Sequence, residues 1–211
     1  MTDRGRVIEF CSLCPVIPVL EVANIEDAEP LAHALLGGGL RVLEVTLRTD
    51  SALDVISNMS KVEGVIVGAG TLRTPNHILA AREAGASFGV SPGATDGMLS
   101  ACQDEDFPIL PGAASASEVM VLLEKGYTAL KFFPAEAAGG RALLKSLAGP
   151  FPDALFCPTG GITRQSASQY LELPNVMCVG GSWLAPIDLI NAKNWQEIEI
   201  RARLANELGA R

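Results

Sequence analysis

The sequence predicts an α/β protein, a single small (β/α)8 barrel of the TIM type, on three observations. Eight short apolar segments rich in β-branched residues end near glycine or proline, as buried parallel strands do. Segments with apolar residues at i, i+3 and i+4 spacing lie between them, as amphipathic helices require. The strands recur roughly every 20 residues, close to the shortest β-α-β crossover.

The strand predictions rest on apolar runs bounded by turn residues. In chain order they are Val16–Leu20, Val42–Leu47, Val65–Ala69, Ser87–Val90, Pro108–Leu110, Ala129–Phe133, Leu155–Cys157 and Met177–Val179. Near-continuous apolar strands joined by helices indicate a parallel sheet covered on both faces.

The helix predictions rest on apolar periodicity and on capping residues. The segment after the first strand carries an apolar face formed by Ala28, Leu31, Ala32, Leu35 and Leu36. Thr74-Pro75 places proline at a first helical position, and Ser115 with Glu118 matches a capping box. A final helix over 193–209 has an apolar stripe that predicts packing on the barrel exterior or on another subunit: Trp195, Ile198, Ile200, Leu204 and Leu208.

The chain length favours one domain over 1–211, with 1–14 as an N-terminal extension and 193–209 as a C-terminal helix. A doubly wound open sheet is the alternative. It would require a glycine-rich fingerprint after the first strand, and Glu21-Val22-Ala23-Asn24 has none.

Composition excludes several classes of protein. A net charge of −8, sparse aromatics and the lack of a basic cluster argue against nucleic acid as a partner. No apolar run approaches the ~20 residues of a membrane span, and the first residues lack the apolar core of a signal peptide. Five scattered cysteines favour reduced thiols and a cytoplasmic location. Cys11 and Cys14 form a C-x-x-C without a second ligand pair, and no other cluster has metal spacing, so no metal and no cofactor are expected.

Lys131 lies between Leu130 and Phe132 in an apolar strand. Burial disfavours an ammonium, so such a lysine loses its proton more easily than one in water. A neutral amine attacks carbonyl carbons and forms Schiff bases. A structural lysine paired with a carboxylate is the alternative interpretation of this segment.

Glu44 is the corresponding carboxylate in an apolar strand, and it predicts either an ion pair with Lys131 or a proton carrier beside it. In a barrel, the C-terminal ends of the strands form one mouth that hosts the chemistry. Other polar residues and glycines also follow strand ends, so we expect them to converge at this mouth.

Residues that follow other strand ends suit an anionic ligand. Arg48 is expected to grip a carboxylate, and Thr71 and Thr159 to orient a carbonyl or hydroxyl group. Gly160-Gly161 and Gly180-Gly181-Ser182 follow the last two strands, where barrels commonly bind phosphate through backbone N–H groups. Each of these residues also has a purely structural alternative. Arg48 could be a surface arginine, the threonines could serve turns and helix caps, and the glycines could form tight turns without a ligand.

Five blocks in this order resemble the 2-keto-3-deoxy-6-phosphogluconate (KDPG) aldolase family, the class I aldolases of the Entner–Doudoroff pathway. They are Arg41–Thr49, Val67–Thr71, Lys131–Glu136, Cys157–Gly161 and Gly180–Trp183. The resemblance implies Lys131 as the Schiff-base lysine and Glu44 as the acid/base. It further implies Arg48, Thr71 and Thr159 at the keto acid, Pro92 and Phe133 lining the pocket, and Gly161, Gly181 and Ser182 at the phosphate.

The same resemblance implies a homotrimer, a small phosphorylated 2-keto acid as substrate, pyruvate as a product, and side activity on 4-hydroxy-2-oxoglutarate. Three alternatives stay open from the sequence. They are an aldolase for the galactonate-derived epimer, a phosphosugar-binding module without turnover, and a proton-transfer isomerase or epimerase that uses Glu44 alone.

Overall fold

The computed structural model describes residues 3–209, in which parallel strands alternate with helices. The strands are β1 (Val16–Leu20), β2 (Val42–Thr46), β3 (Ile66–Gly70), β4 (Phe88–Val90), β5 (Ile109–Leu110), β6 (Gly112–Ala113), β7 (Ala129–Phe132), β8 (Leu155–Pro158) and β9 (Val179–Gly181). The helices are α1 (Asp3–Ser12), α2 (Ala28–Gly37), α3 (Ala52–Met59), α4 (Pro75–Glu83), α5 (Asp96–Asp104), α6 (Ala116–Glu124), α7 (Gly140–Ala148), α8 (Arg164–Leu171), α9 (Ile187–Asn191) and α10 (Trp195–Asn206). Short 3-10 helices span Ile25–Asp27 and Glu207–Gly209.

The strands form two parallel sheets, which confirms the predicted α/β class. One sheet has the order β5-β4-β3-β2-β1-β9, and the other has the order β6-β7-β8. Glu44 on β2 is in register with Val19 on β1 and with Gly68 on β3. Lys131 on β7 is in register with Gly112 and Cys157.

The predicted fifth strand, Pro108–Leu110, is confirmed as β5, but a short strand that was not predicted, β6, follows on the other side of Pro111. Proline has no N–H to donate, so the ladder is interrupted at this residue. The carbonyl of Pro111 nevertheless accepts a 2.8 Å hydrogen bond from the N–H of Lys131. The backbone of the fifth strand therefore directly supports the central lysine.

The last predicted strand, Met177–Val179, begins too early. The N–H of Val179 donates to the carbonyl of Pro15 at 2.9 Å, and pairing with β1 continues through Gly181. Gly180 and Gly181 thus belong to β9, whereas the sequence placed them in the loop after it. Small residues let this strand approach its neighbours closely, which the apolar pattern alone does not reveal.

The ends of the chain pack on the strands and helices. In α1, Val7 and Cys11 are buried, and Phe10 stacks at a tilt on Phe88 with 5.6 Å between ring centroids. The predicted extension is therefore a packed helix over most of its length.

The C-terminal helix α10 packs on α2 at Gly38, where a Cβ atom would lie 2.4 Å from that of Ala202. Ile198 is buried as predicted, but Ile200 is 43% exposed, so the predicted apolar stripe is wrong at this residue. Ala202 and Ala205 of the same helix are buried. None of the helices within 3–209 has the length and apolar character of a membrane span.

Candidate active site

Lys131 and Glu44 meet between the two sheets, on β7 and β2 respectively. The Nζ atom of Lys131 lies 2.9 Å from Oε1 and 3.4 Å from Oε2 of Glu44, and both side chains are almost fully buried. Burying a charge is costly unless a partner compensates it, and each group supplies that partner for the other. The sequence predicted this pair from two separate apolar strands, and the fold brings the two groups into direct contact.

The contact with Lys131 depends on a glycine that faces Glu44. A Cβ atom on Gly70, at the end of β3, would lie 2.3 Å from Oε1 and 2.9 Å from Cδ of Glu44. Only a residue without a side chain leaves room for the carboxylate here. The aromatic ring of Phe133 lies on another side of the amine, with 5.5 Å between Nζ of Lys131 and the ring centroid.

Arg48 lies at the edge of the site, half exposed, with Nη1 3.7 Å from Oε2 of Glu21. Both side chains line an open cavity of about 370 Å³ with Thr46 and Ser182. The guanidinium faces the cavity as predicted, but a carboxylate of the protein already lies beside it. An anionic ligand would therefore compete with Glu21 for this cation.

Thr71 and Thr159 are held at the strand ends in different ways. Thr71 follows β3 with a φ of +62°, a left-handed conformation that is rare and strained for a β-branched residue. Strain of this kind is often found in functional loops. Thr159 is buried after β8, and its hydroxyl lies against Gly180, where a Cβ atom would be only 2.2 Å away.

The glycine pairs differ in their structural roles. Gly160 and Gly161 have φ values of +107° and +77°, so only glycine adopts their conformations without strain. Gly180 makes room for Thr159, and Gly181 makes room for the ring of Trp183. The pair at β9 is therefore explained by packing, whereas the pair after β8 shapes an exposed turn that leads into α8.

Two backbone donors in these turns lack protein acceptors. Within residues 3–209, the N–H groups of Gly161 and Ser182 make no hydrogen bond to the protein. Gly161 precedes the N-terminus of α8, where Thr163 caps the helix in a reciprocal box with Ser166. Free N–H groups beside a helix N-terminus are the local chemistry of an anion site.

The remaining predicted pocket residues also lie at the strand ends. The loop that contains Pro92 lies against β6, since a Cβ atom on Gly112 would be 2.3 Å from the carbonyl of Pro92. Phe133 precedes Pro134 through a cis peptide bond, next to the lysine. The N–H groups of Ala135 and Glu136 then donate to the carbonyls of Thr159 and Gly160 at 2.8 and 3.1 Å. The loops after β7 and β8 are thus tied together.

The described part of the chain contains no cluster of three histidine, cysteine or acidic side chains that could hold a metal ion. Cys11 and Cys14 are buried free thiols. His33 lies exposed on α2, and Nδ1 of His77 accepts the N–H of Arg73 at 3.3 Å near the start of α4. The histidines therefore lie at a surface position and near a helix start.

Comparison with known proteins identifies the family. Residues 7–201 match the model of the aldolase family described as KDPG and KHG aldolase. The chain belongs to this family. A 2-dehydro-3-deoxy-phosphogluconate aldolase of Pseudoalteromonas atlantica is 49% identical over 208 residues, which are 97% of each protein. The resemblance stated from the five sequence blocks is confirmed.

Solved structures of the KDPG aldolase family have the same fold. One from Legionella pneumophila, with pyruvate captured as a covalent carbinolamine, has a TM-score of 0.92 and 45% identity, and the match covers 94% of this chain and 97% of that one. Another, from Zymomonas mobilis ZM4 with 3-phosphoglycerate, has a TM-score of 0.91 and 45% identity over 96% of each chain. Family membership makes the chain an aldolase, a lyase by reaction class.

Sequence reasoning missed three residues that shape the site. Glu21 looked like an ordinary residue after β1, yet it faces Arg48. Gly70 was visible only as a strand-end glycine, although it makes room for Glu44. Tyr170 lies in an unremarkable helix, and its hydroxyl donates to Glu136 at 2.7 Å. No local sequence signal distinguishes these positions, because each depends on a residue far along the chain.

Proposed function

We propose that this protein is a Schiff-base-forming aldolase that cleaves 2-keto-3-deoxy-6-phosphogluconate to pyruvate and glyceraldehyde 3-phosphate. The observation that carries the proposal is the 2.9 Å contact between the buried groups of Lys131 and Glu44. It places a nucleophile beside a proton acceptor. Cleavage of 4-hydroxy-2-oxoglutarate follows from the same chemistry as a side activity.

The first step requires a neutral amine. Transfer of one proton from Lys131 to Glu44 produces an amine and a carboxylic acid, and a neutral pair avoids the desolvation cost of two buried charges. The amine then attacks the C2 ketone of the substrate. The carbinolamine loses water, for which Glu44 supplies the proton, and an iminium forms.

The iminium draws the electrons of the C3–C4 bond. Glu44, acting through a water molecule, accepts the proton of the C4 hydroxyl while that bond breaks. Glyceraldehyde 3-phosphate leaves, and an enamine remains on Lys131. Protonation of the enamine at C3 and hydrolysis of the resulting iminium release pyruvate and restore the amine.

The proposed substrate contacts are those that the resemblance to the aldolase family implies. Arg48, Thr71 and Thr159 are assigned to the keto-acid end, with Phe133 and Pro92 as the apolar wall. The phosphate is assigned to the turns of Gly160 and Gly161 and to the Gly180–Ser182 segment. The unbonded N–H groups of Gly161 and Ser182 support this assignment, since backbone donors suit a phosphate in a protein whose net charge is negative.

We also propose one closed eight-stranded barrel over 1–211 as the single domain. Isolated parallel bridges at Phe156–Val176 and Thr159–Gly180 support closure between β8 and β9, and Pro111 supports continuity between β5 and β6.

A homotrimer in the cytoplasm is the proposed assembly and location. Exposed Met120 and Val121 on α6 and the five free cysteines are consistent with these two statements.

Borohydride reduction in the presence of pyruvate tests the proposed function. The expected result is a stable reduced-pyruvate adduct on Lys131, found by peptide mass spectrometry, together with cleavage of the phosphorylated substrate. Lys145, exposed on α7, is the internal control. An adduct on another lysine, or none, would reject the aldolase mechanism. Substrate epimerisation without adduct would support the proton-transfer isomerase, and binding without either would support the phosphosugar-binding module.

A comparison of the two phosphorylated epimers tests substrate choice. We expect a higher kcat/KM for the gluconate-derived substrate than for the galactonate-derived one. The reverse order would assign the galactonate-derived epimer as substrate while leaving the Schiff-base chemistry intact.

A further inference from the structure

A buried tyrosine holds the carboxylate of Glu136. The hydroxyl of Tyr170, on α8, donates to Oε1 of Glu136 at 2.7 Å, and the tyrosine is fully buried. Burial, together with the neighbouring carboxylate, raises the pKa of Tyr170 above its ordinary value. The phenol therefore stays protonated at neutral pH and remains the donor of this hydrogen bond.

The side chain of Glu136 packs directly on the turn after β8. A Cβ atom placed on Gly161 would lie 2.8 Å from Cγ and 2.9 Å from Cβ of Glu136. The N–H of Glu136 also donates to the carbonyl of Gly160 at 3.1 Å. The stem and backbone of Glu136 therefore form the surface against which Gly160 and Gly161 rest.

The hydrogen bond joins three parts of the fold. Glu136 belongs to the loop that follows the strand of Lys131, and Tyr170 belongs to the helix that follows the glycine turn. Gly140, at the start of α7, also lies close, because a Cβ atom there would be 3.2 Å from the hydroxyl of Tyr170. One bond thus fixes the glycine turn relative to both of its flanking elements.

Glu136 places a negative charge next to the proposed phosphate site. A carboxylate beside a phosphate site repels the ligand, so it gives no direct advantage in binding an anion. It does offer a strong acceptor, and hydrogen bonds to charged groups are stronger and more directional than neutral ones. The buried phenol satisfies that acceptor on the side away from the turn.

We propose that Glu136 and Tyr170 are positioning residues that hold the Gly160–Gly161 turn in the geometry that receives the phosphate of the substrate. The inference rests on the proposed function and extends it to substrate selectivity. Glycine turns are intrinsically mobile, so a turn that is already held in place loses less entropy when the ligand binds. The pair therefore favours phosphorylated over unphosphorylated keto acids.

The test compares KM for the phosphorylated substrate with KM for 4-hydroxy-2-oxoglutarate, which lacks the phosphate. Tyr170→Phe removes only the donor, and Glu136→Ala removes the acceptor and its stem. The ratio is KM for the phosphorylated substrate divided by KM for 4-hydroxy-2-oxoglutarate. In both variants we expect this ratio to rise roughly fivefold, which is the effect of losing about one hydrogen bond. Glu136→Gln keeps an oxygen that accepts from the phenol, but as a weaker neutral acceptor, so its ratio is expected to lie between those of the wild type and Glu136→Ala.

Tyr127→Phe is the matched control, because it removes the hydroxyl of the other tyrosine, at the opposite end of β7 from Lys131. Its ratio is expected to remain unchanged. Equal KM changes for both substrates in Tyr170→Phe and Glu136→Ala would overturn the inference and leave a general structural role. If Tyr170→Phe does not fold, the comparison of Glu136→Ala with Glu136→Gln decides, since Glu136 is exposed.

Trapping with pyruvate separates this inference from the proposed function. A wild-type adduct on Lys131 with an unchanged KM ratio in the variants refutes only the positioning role. Absence of the wild-type adduct refutes the aldolase function itself.

Discussion

The carboxylate of Glu44 lies 2.9 Å from the Nζ atom of Lys131, although 87 residues separate the two in the chain. Their strands do not pair with each other, because β2 lies between β1 and β3 while β7 lies between β6 and β8. The contact therefore joins the two sheets. Two buried, oppositely charged side chains that meet in this way depend on each other for stability as well as for chemistry.

Removing the lysine alone should destabilise the protein. In Lys131→Met the carboxylate of Glu44 stays buried without its partner, and we expect the free energy of unfolding to fall by about 3 kcal/mol. Urea unfolding at pH 7 measures this change. The double variant Lys131→Met/Glu44→Gln buries no charge and is expected to recover most of the loss. If the loss in the double variant equals the sum of the losses in Lys131→Met and Glu44→Gln, the two residues are not coupled.

Gly70→Ala should reduce turnover more than Schiff-base formation. The added methyl group would lie 2.3 Å from Oε1 of Glu44, so the carboxylate must move away from its position beside Lys131. Because general acid–base groups contribute roughly 100-fold or more to rates, we expect kcat to fall by at least about tenfold. The pyruvate adduct should still form, but more slowly, because Glu44 also supplies the proton for loss of water from the carbinolamine.

Gly149→Ala is the control for Gly70→Ala, since a methyl group there meets nothing within 4 Å. Steady-state kinetics of the three proteins, with adduct yield measured in parallel, completes the experiment. Unchanged kcat in Gly70→Ala would show that Glu44 tolerates displacement.

Glu118 should contribute stability that is lost in acid. A hydrogen bond from the N–H of Ala114 holds the pKa of Glu118 below its ordinary value, with further bonds from Ser115. A lowered pKa in the folded state means that the contribution is complete above the pKa of the unfolded chain. It disappears as the pH falls through the lower value of the folded state.

Glu118→Gln should therefore lose stability at pH 7 but little at pH near 2. The loss is expected to be below about 1 kcal/mol, since the group is largely exposed. Urea unfolding at both pH values measures the difference, and Glu124→Gln, on the last turn of the same helix, is the control. A larger loss at low pH than at pH 7 would have the wrong sign for this mechanism.

The thiols should react slowly in the native protein. Burial raises the pKa of Cys102 to about 12, and hydrogen bonding with Cys11 and Cys157 raises that of Cys178 well above its ordinary value. Thiolates are the reactive species, so at pH 8 we expect almost no rapid reaction with a disulfide reagent. All five cysteines should react once the protein is unfolded in urea. Rapid native reaction of two or more would show that the core opens.

The sequence predicted the elements well where local physics dominates. Apolar runs such as Val16–Leu20 and cap residues such as Thr74, which accepts the N–H of His77 at 3.3 Å, are short-range features. It also predicted one half of the capping box, since Ser115 accepts the N–H of Glu118 as expected. The other half differs, because the carboxylate of Glu118 accepts from the N–H of Ala114 and from the hydroxyl of Ser115.

Errors arose where neighbouring chain segments decide the geometry. Pro111 separates β5 from β6 because proline has no N–H to donate to the ladder. β9 begins at Val179, where the N–H of this residue donates to the carbonyl of Pro15. Ile200 is exposed, whereas Ala202 on the same helix packs against Gly38. Each outcome depends on a partner that no local window of sequence contains.

The sequence by itself determined the parallel α/β class and the identity of the buried amine and carboxylate. The class follows from apolar periodicity. The two residues are identified because a charge in an apolar strand requires a compensating partner. Only the tertiary structure decided how these groups meet, which glycine makes room for Glu44, which carboxylate faces Arg48 and which phenol holds Glu136. Contacts between distant segments arise from the way the two parallel sheets pack together, which depends on the whole chain.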